Sequence, residues 1–179
     1  MLSAINHSIA GTSRAYVPLA HRFFPETYQG DVEFRGLPEC SLFLLDLYLI
    51  VHSSGLAYGP AIRFNGDTAN NYVVTKGNLT NIPVFSQTAA QSYIEVGSLM
   101  GNAEAAFMRV IVPGTANSVL GRQLVQTFSY TNGSGAGDTH IHAGQWNNGD
   151  RINRISIVPG LGINGQIGVG TYMTLYGMK

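Results

Sequence analysis

His140 and His142 stand two residues apart, so on a strand both imidazoles point to one face, a spacing that can offer two nitrogens to a metal. Asp138 and His52 are the residues that could add a ligand, but neither stands at a motif spacing from the pair. Two bare histidines suit a surface or interface role, so no metal and no other cofactor is expected; in a trimer, a histidine ring on the axis could collect a metal or anion from three copies. The carboxylates are few: Glu26, Asp31, Glu33, Glu39, Asp46, Asp67, Glu95, Glu104, Asp138 and Asp150. Glycoside hydrolysis needs two of them facing each other across a cleft, and nothing singles out a pair such as Asp67 with Asp138. No Gly-x-Ser-x-Gly elbow, phosphate-binding loop or dinucleotide fingerprint occurs. Cys40 is the single cysteine, which rules out an intrachain disulfide and reads as a small buried hydrophobe. The chain is therefore not expected to be an enzyme.

The polar groups concentrate instead in Ile62-Arg63-Phe64-Asn65-Gly66-Asp67-Thr68-Ala69-Asn70-Asn71-Tyr72. Ile62 to Phe64 read as the end of a strand and Tyr72 as the start of the next. Asn65-Gly66-Asp67 reads as a turn, because Gly66 accepts positive φ and the Asn and Asp side chains can bond the local backbone. A carboxylate just after Asn-Gly can accept backbone N–H bonds, so Asp67 reads as a structural pin, with Arg63 able to pair with it or with a neighbouring subunit. Asn71 supplies a further amide. Trp146, the only tryptophan, reads either as a residue closing the core or as a sugar-stacking platform with Tyr130, Asn147 and Asn148 near it in sequence.

The elements that must position these groups are strands. From residue 37 onward the candidates are Leu42–Val51, Ala61–Phe64, Tyr72–Thr75, Tyr93–Met100, Ala106–Val112, Gln123–Tyr130, Thr139–Trp146, Ile152–Val158 and Tyr172–Tyr176. Gly, Asn and Pro punctuate them at the regular spacing of an all-β sandwich or barrel. In the stretch 106–112, Ala106, Met108, Val110 and Val112 alternate with Phe107, Arg109 and Ile111, so both faces carry apolar groups. Such a strand lies in mid-fold or at a subunit interface. The best place for a helical turn is Thr88–Ser92, and Thr131–Gly137 reads as an exposed loop. Residues 1–36 show neither a period of 2 nor one of 3.6. They form the expected N-terminal arm, with Tyr16, Phe23, Phe24 and Tyr28 as its anchors on a partner or on the chain's own domain, residues 37–179.

Composition narrows the function further. The chain has 179 residues, 45% of them hydrophobic and only 11% charged, with 10 basic and 10 acidic side chains. About 25% charged is usual, so much of the surface is neutral and suited to standing contacts with other subunits. The absence of a basic stripe argues against nucleic acid as a partner. No signal peptide is read at the N-terminus, and the greasiest run, Ser41 to Val51, is too short to span a bilayer and carries Asp46; a soluble, cytosolic product without a membrane partner is expected.

The 62–72 stretch also carries a resemblance. It resembles the (L/I)RFNGDTxxNY segment of a family of tailed-bacteriophage virion proteins, surface and tail proteins with a compact β-sandwich. Val110-Ile111-Val112-Pro113 with Thr115-Ala116-Asn117-Ser118 is similar to that family's IPNYANT element, with Gly114 where the family usually has Asn-Tyr. Trp146 with Ile152-Asn153-Arg154-Ile155, and Gly170 to Gly177, resemble its closing strands. The resemblance covers roughly residues 37 to 178. It implies an antiparallel β-sandwich of jelly-roll type with an extended N-terminal arm, in a virion structural protein. The favoured form is a homotrimeric capsid decoration (cement) protein bracing the major capsid protein with its arm. The alternative is a tail or fibre receptor-binding module that recognises a host glycan through Thr131–Gly137 and Trp146–Asp150.

Overall fold

The computed structural model describes residues 15–52, 59–78, 84–97, 105–114, 123–132, 137–159 and 166–179, and among them there is no helix. The strands are β1 (Val17–Phe23), β2 (Val32–Arg35), β3 (Leu42–His52), β4 (Ala61–Phe64), β5 (Tyr72–Asn78), β6 (Val84–Gln91) and β7 (Ile94–Glu95). They continue with β8 (Ala105–Pro113), β9 (Gln123–Asn132), β10 (Gly137–Trp146), β11 (Arg154–Val158), β12 (Gln166–Ile167) and β13 (Tyr172–Met178). A large sheet runs β1-β13-β3-β8-β9-β10-β5-β6, with β12 added to β3. A small sheet runs β2-β11-β4-β7. Every pairing is antiparallel.

The chain shuttles between the two sheets: β2, β4, β7 and β11 belong to the small one and the strands between them to the large one. Period-2 alternation explains why. Along β3, Phe43, Leu45, Leu47 and Leu49 are fully buried, and along β8 so are Met108, Val110 and Val112. Opposite them the small sheet contributes Phe34, Ile62, Phe64, Ile155 and Ile157 to the same core. Each of the larger side chains removes about 1.5–3 kcal/mol worth of apolar surface from water, which holds the two layers together. β11 is buried at four of its five residues, as befits a central strand of the small sheet.

Four expectations are corrected here. Residues 15–36 are not separate from the domain: β1 pairs with β13, β2 pairs with β11, and Tyr28 bridges to Ile167, so the sandwich begins well before residue 37. Residues 88–91 continue strand β6 rather than forming a helical turn; β6 carries no apolar alternation to announce it. Within Tyr93–Met100 only Ile94–Glu95 is a strand among the residues described, and 98–100 lie outside them. The expected loop 131–137 is narrower than expected, since β9 runs to Asn132 and β10 starts at Gly137; residues 133–136 lie outside the described part. No helix among the described residues is long and apolar enough to cross a membrane.

Candidate functional site

The turn after β4 is built by two residues with positive φ, Asn65 at 51° and Gly66 at 70°. The Asp67 amide donates to the Phe64 carbonyl at 2.9 Å and closes the turn. Positive φ calls for glycine at position 66, and a β-carbon there would also make the mobile end of the Arg154 side chain shift.

Asn65 uses the turn to reach the small sheet. Its Oδ1 accepts from the amides of Asn153 (2.9 Å) and Arg154 (3.2 Å), and its Nδ2 donates to the Arg151 carbonyl at 2.8 Å. The Asn65 amide donates to the Arg154 carbonyl at 3.0 Å. The side chain thus stands in for one more rung of the ladder at the entry to β11. Asn65→Ala removes those side-chain bonds and leaves a β-carbon residue at positive φ. We expect a loss of about 2 kcal/mol in urea unfolding, with Asn65→Gly costing less because it relieves the backbone term.

Asp67 reaches the large sheet. Its Oδ2 accepts from Trp146 Nε1 at 2.7 Å and from Asn71 Nδ2 at 3.0 Å, and its Oδ1 accepts from the Ala69 amide at 2.9 Å. Burial pushes this carboxyl up, but the bonds from Trp146, Asn71 and Ala69 together outweigh it and hold the group below its ordinary value. Tyr72 closes the assembly: its hydroxyl accepts from the Phe64 amide at 3.1 Å and donates to the Asp67 carbonyl at 3.2 Å. Burial raises the Tyr72 phenol to about 12, so it stays protonated. Beneath these polar groups, Phe64 and Trp146 lie with ring centroids 5.4 Å apart, and Tyr72 stacks on Trp146 at 6.3 Å. The stretch 64–72 is therefore a bolt: Asn65 fastens it to the small sheet and Asp67 to the large one.

Trp146 is fully buried, which corrects its reading as a stacking platform: neither ring face is open to a sugar. Asn147 is exposed beside it, and Asn148 is half-buried. Arg63 does not meet Asp67; its Nη1 lies 3.5 Å from Asp31 and its Nε donates to the Ser92 carbonyl at 3.1 Å.

His142 is buried and His140 half-buried, with rings 6.0 Å apart. Among the described residues, neither nitrogen of His142 has a hydrogen-bond partner. Burial, then the nearby His140 and Lys76, push its imidazole down to about 4, so it is neutral at neutral pH. Lys76, its register partner on β5, is paired with Glu95 on β7. No group of three His, Cys, Asp or Glu residues that could hold a metal occurs among the described residues. Cys40 is buried, and its thiol is pushed up by that burial, with Lys179 and Arg151 opposing, which leaves it a packing residue rather than a nucleophile.

Of the arm residues, Tyr16, Phe23 and Tyr28 are exposed, whereas Phe24 packs on the chain's own core. A cleft of about 520 Å³ opens here, lined by Arg22, Phe24, Tyr28, Asp31, Val32, Glu33 and Arg35. Its carboxylates are already engaged: Asp31 with Arg63, and Glu33 with Arg35 and Arg154. None of them is set opposite a nucleophile. The sequence reading missed this cleft because β1 and β2 were not recognised as strands. Gly114, where the resembled element has Asn-Tyr, sits so close to the Cys40 carbonyl that a β-carbon would overlap it. The chain matches no protein-family model and no curated protein sequence.

Proposed function

We propose that this chain is a structural protein of a tailed-phage virion, a capsid decoration (cement) protein that acts by binding and not by catalysis. The observation that carries this reading is the use of the motif residues. The polar groups of Asn65, Asp67 and Tyr72 described above are spent within the chain, on closing the turn and on fastening one sheet to the other. A segment kept for that purpose suits a protein whose task is to be a rigid building block.

The jelly-roll type belongs to this reading too. We read the order β2-β11-β4-β7 in one sheet, and β3 followed at a distance by β10-β5-β6 in the other, as the eight strands of a jelly roll, with β8 and β9 inserted between β3 and β10 and with β1, β12 and β13 as further additions. The low charge and zero formal net charge support assembly into a homotrimer on the major capsid protein. Location on the virion follows from the same reading. The alternative, a tail or fibre module for a host glycan, has lost its stacking platform with the burial of Trp146.

The arm is also narrowed. Removing residues 1–30 would strip β1 from the sheet, so the informative truncation ends at residue 14, before β1. We expect the full chain to co-sediment with shells that lack it and to raise their melting temperature, and the chain without residues 1–14 to fold but lose most of that binding. A full chain that ignores such shells, yet binds host surface polysaccharide, would overturn the decoration reading.

A further inference from the structure

The outward face of the large sheet carries an aromatic row. In register, Phe23 on β1 lies beside Tyr172 on β13, Tyr172 beside Tyr48 on β3, and Tyr48 beside Phe107 on β8. Directly paired residues of antiparallel strands point to the same side, and burial shows which side this is. Phe23 is 59% exposed, Phe107 41% and Tyr172 40%, while their sequence neighbours Met173, Met108 and Ala106 are buried.

The next row supplies the polar groups, and they satisfy one another. Arg109 grips Asp46 by two bonds, from Nε at 2.7 Å and from Nη2 at 2.8 Å. The His21 ring nitrogen lies 2.9 Å from Thr174 Oγ1. The ion pair cancels the charge at the middle of the face, so covering it strands no isolated charge.

We propose that this face is the surface through which one copy of the chain packs against a second copy. Three observations choose that occupant. The rings of Tyr48 and Tyr172 stack on each other, centroids 5.2 Å apart and 17° from parallel. Each ring covers one π-face of the other within the chain, and paired tyrosines of this kind suit a protein surface. A neutral face calls for a neutral partner, and a second copy, with zero formal net charge and the same paired row, is one. The size also fits. The six neighbouring strands from β1 to β10 span about 24 Å, and Leu44 to Ile50 about 20 Å along the strand, giving a plane of roughly 500 Å² before side-chain relief and overhang are added, the same order as the about 800 Å² per partner of a stable interface.

The inference rests on the self-association in the decoration reading and adds the surface that carries it; a chain that binds shells but self-associates through another surface would fail the inference and leave that reading standing. Sedimentation velocity of the purified chain over a wide concentration range is expected to show an oligomer. Phe107→Lys with Tyr172→Lys is expected to weaken self-association about ten-fold or more, with an unchanged circular dichroism spectrum. As a second readout that leaves the middle of the face intact, Phe23→Cys is expected to react with a maleimide several-fold more slowly in the assembled state than when diluted, buried Cys40 staying silent. A wild-type chain that remains a monomer at high concentration, an oligomer that survives the double lysine variant, or a Phe23→Cys thiol labelled equally in both states would each overturn the proposal.

Discussion

Trp146→Ala is expected to lower stability by about 3–5 kcal/mol, enough to leave much of the chain unfolded if its total stability lies in the usual range of about 5–15 kcal/mol. The loss has two parts. The indole fills the space between Phe64 and Tyr72, and its removal leaves a cavity there. The Asp67 carboxylate also loses its shortest bond while the rest of the bolt still holds it in place. Trp146→Phe separates the parts: it keeps most of the ring packing and removes only the Nε1 donor, so about 1–3 kcal/mol should be lost. Urea unfolding of the two variants checks this: equal losses would show that the hydrogen bond carries the effect and the ring packing adds little, and an unchanged phenylalanine variant would show that the bond contributes little.

The second large effect is the response to acid at His142. Its folded-state value of about 4 lies below the ordinary value of about 6.5, so between those limits the unfolded chain binds the extra proton and the folded one does not. Stability therefore stands in full above about pH 6.5 and drains away as pH falls towards 4, by about 3 kcal/mol in all. The charged groups near the ring do not relieve this, since Lys76 and His140 both disfavour a second cation and Glu95 is already paired with Lys76. His142→Leu should erase this part of the acid slope. It should also match or exceed the wild type at neutral pH, because a buried imidazole without partners gives way to an apolar group of similar size. A wild-type curve parallel to that of the leucine variant between pH 7 and 4.5 would contradict the assignment.

Much of the sandwich was legible because its central strands are apolar runs bounded by turns rich in Gly, Asn and Pro. β4 falls on Ala61–Phe64, where the sequence placed it, and β3, β8, β9, β10 and β13 begin within two residues of their expected starts. The turn at Asn65-Gly66 and the structural role of Asp67 were legible for a local reason, since the side chains that favour positive φ and backbone bonding are those present. β1 and β6 were not legible. Both lie at edges of the large sheet and are mostly exposed where described, so neither shows apolar alternation, and only pairing with a strand remote in sequence makes β1 a strand. β2 is four residues long, too short for a period to show. Of the site, the sequence could name Asp67 and Trp146 as separate structural residues but not as partners 79 positions apart, because that contact depends on how the sheets stack.

The measurement that bears most directly on the central claim is the copy number of this protein in purified virions, by quantitative mass spectrometry against the major capsid protein. The decoration reading predicts a value close to one copy per capsid subunit. A handful of copies per particle would point to the tail tip instead, and absence from the particle would contradict a virion role altogether.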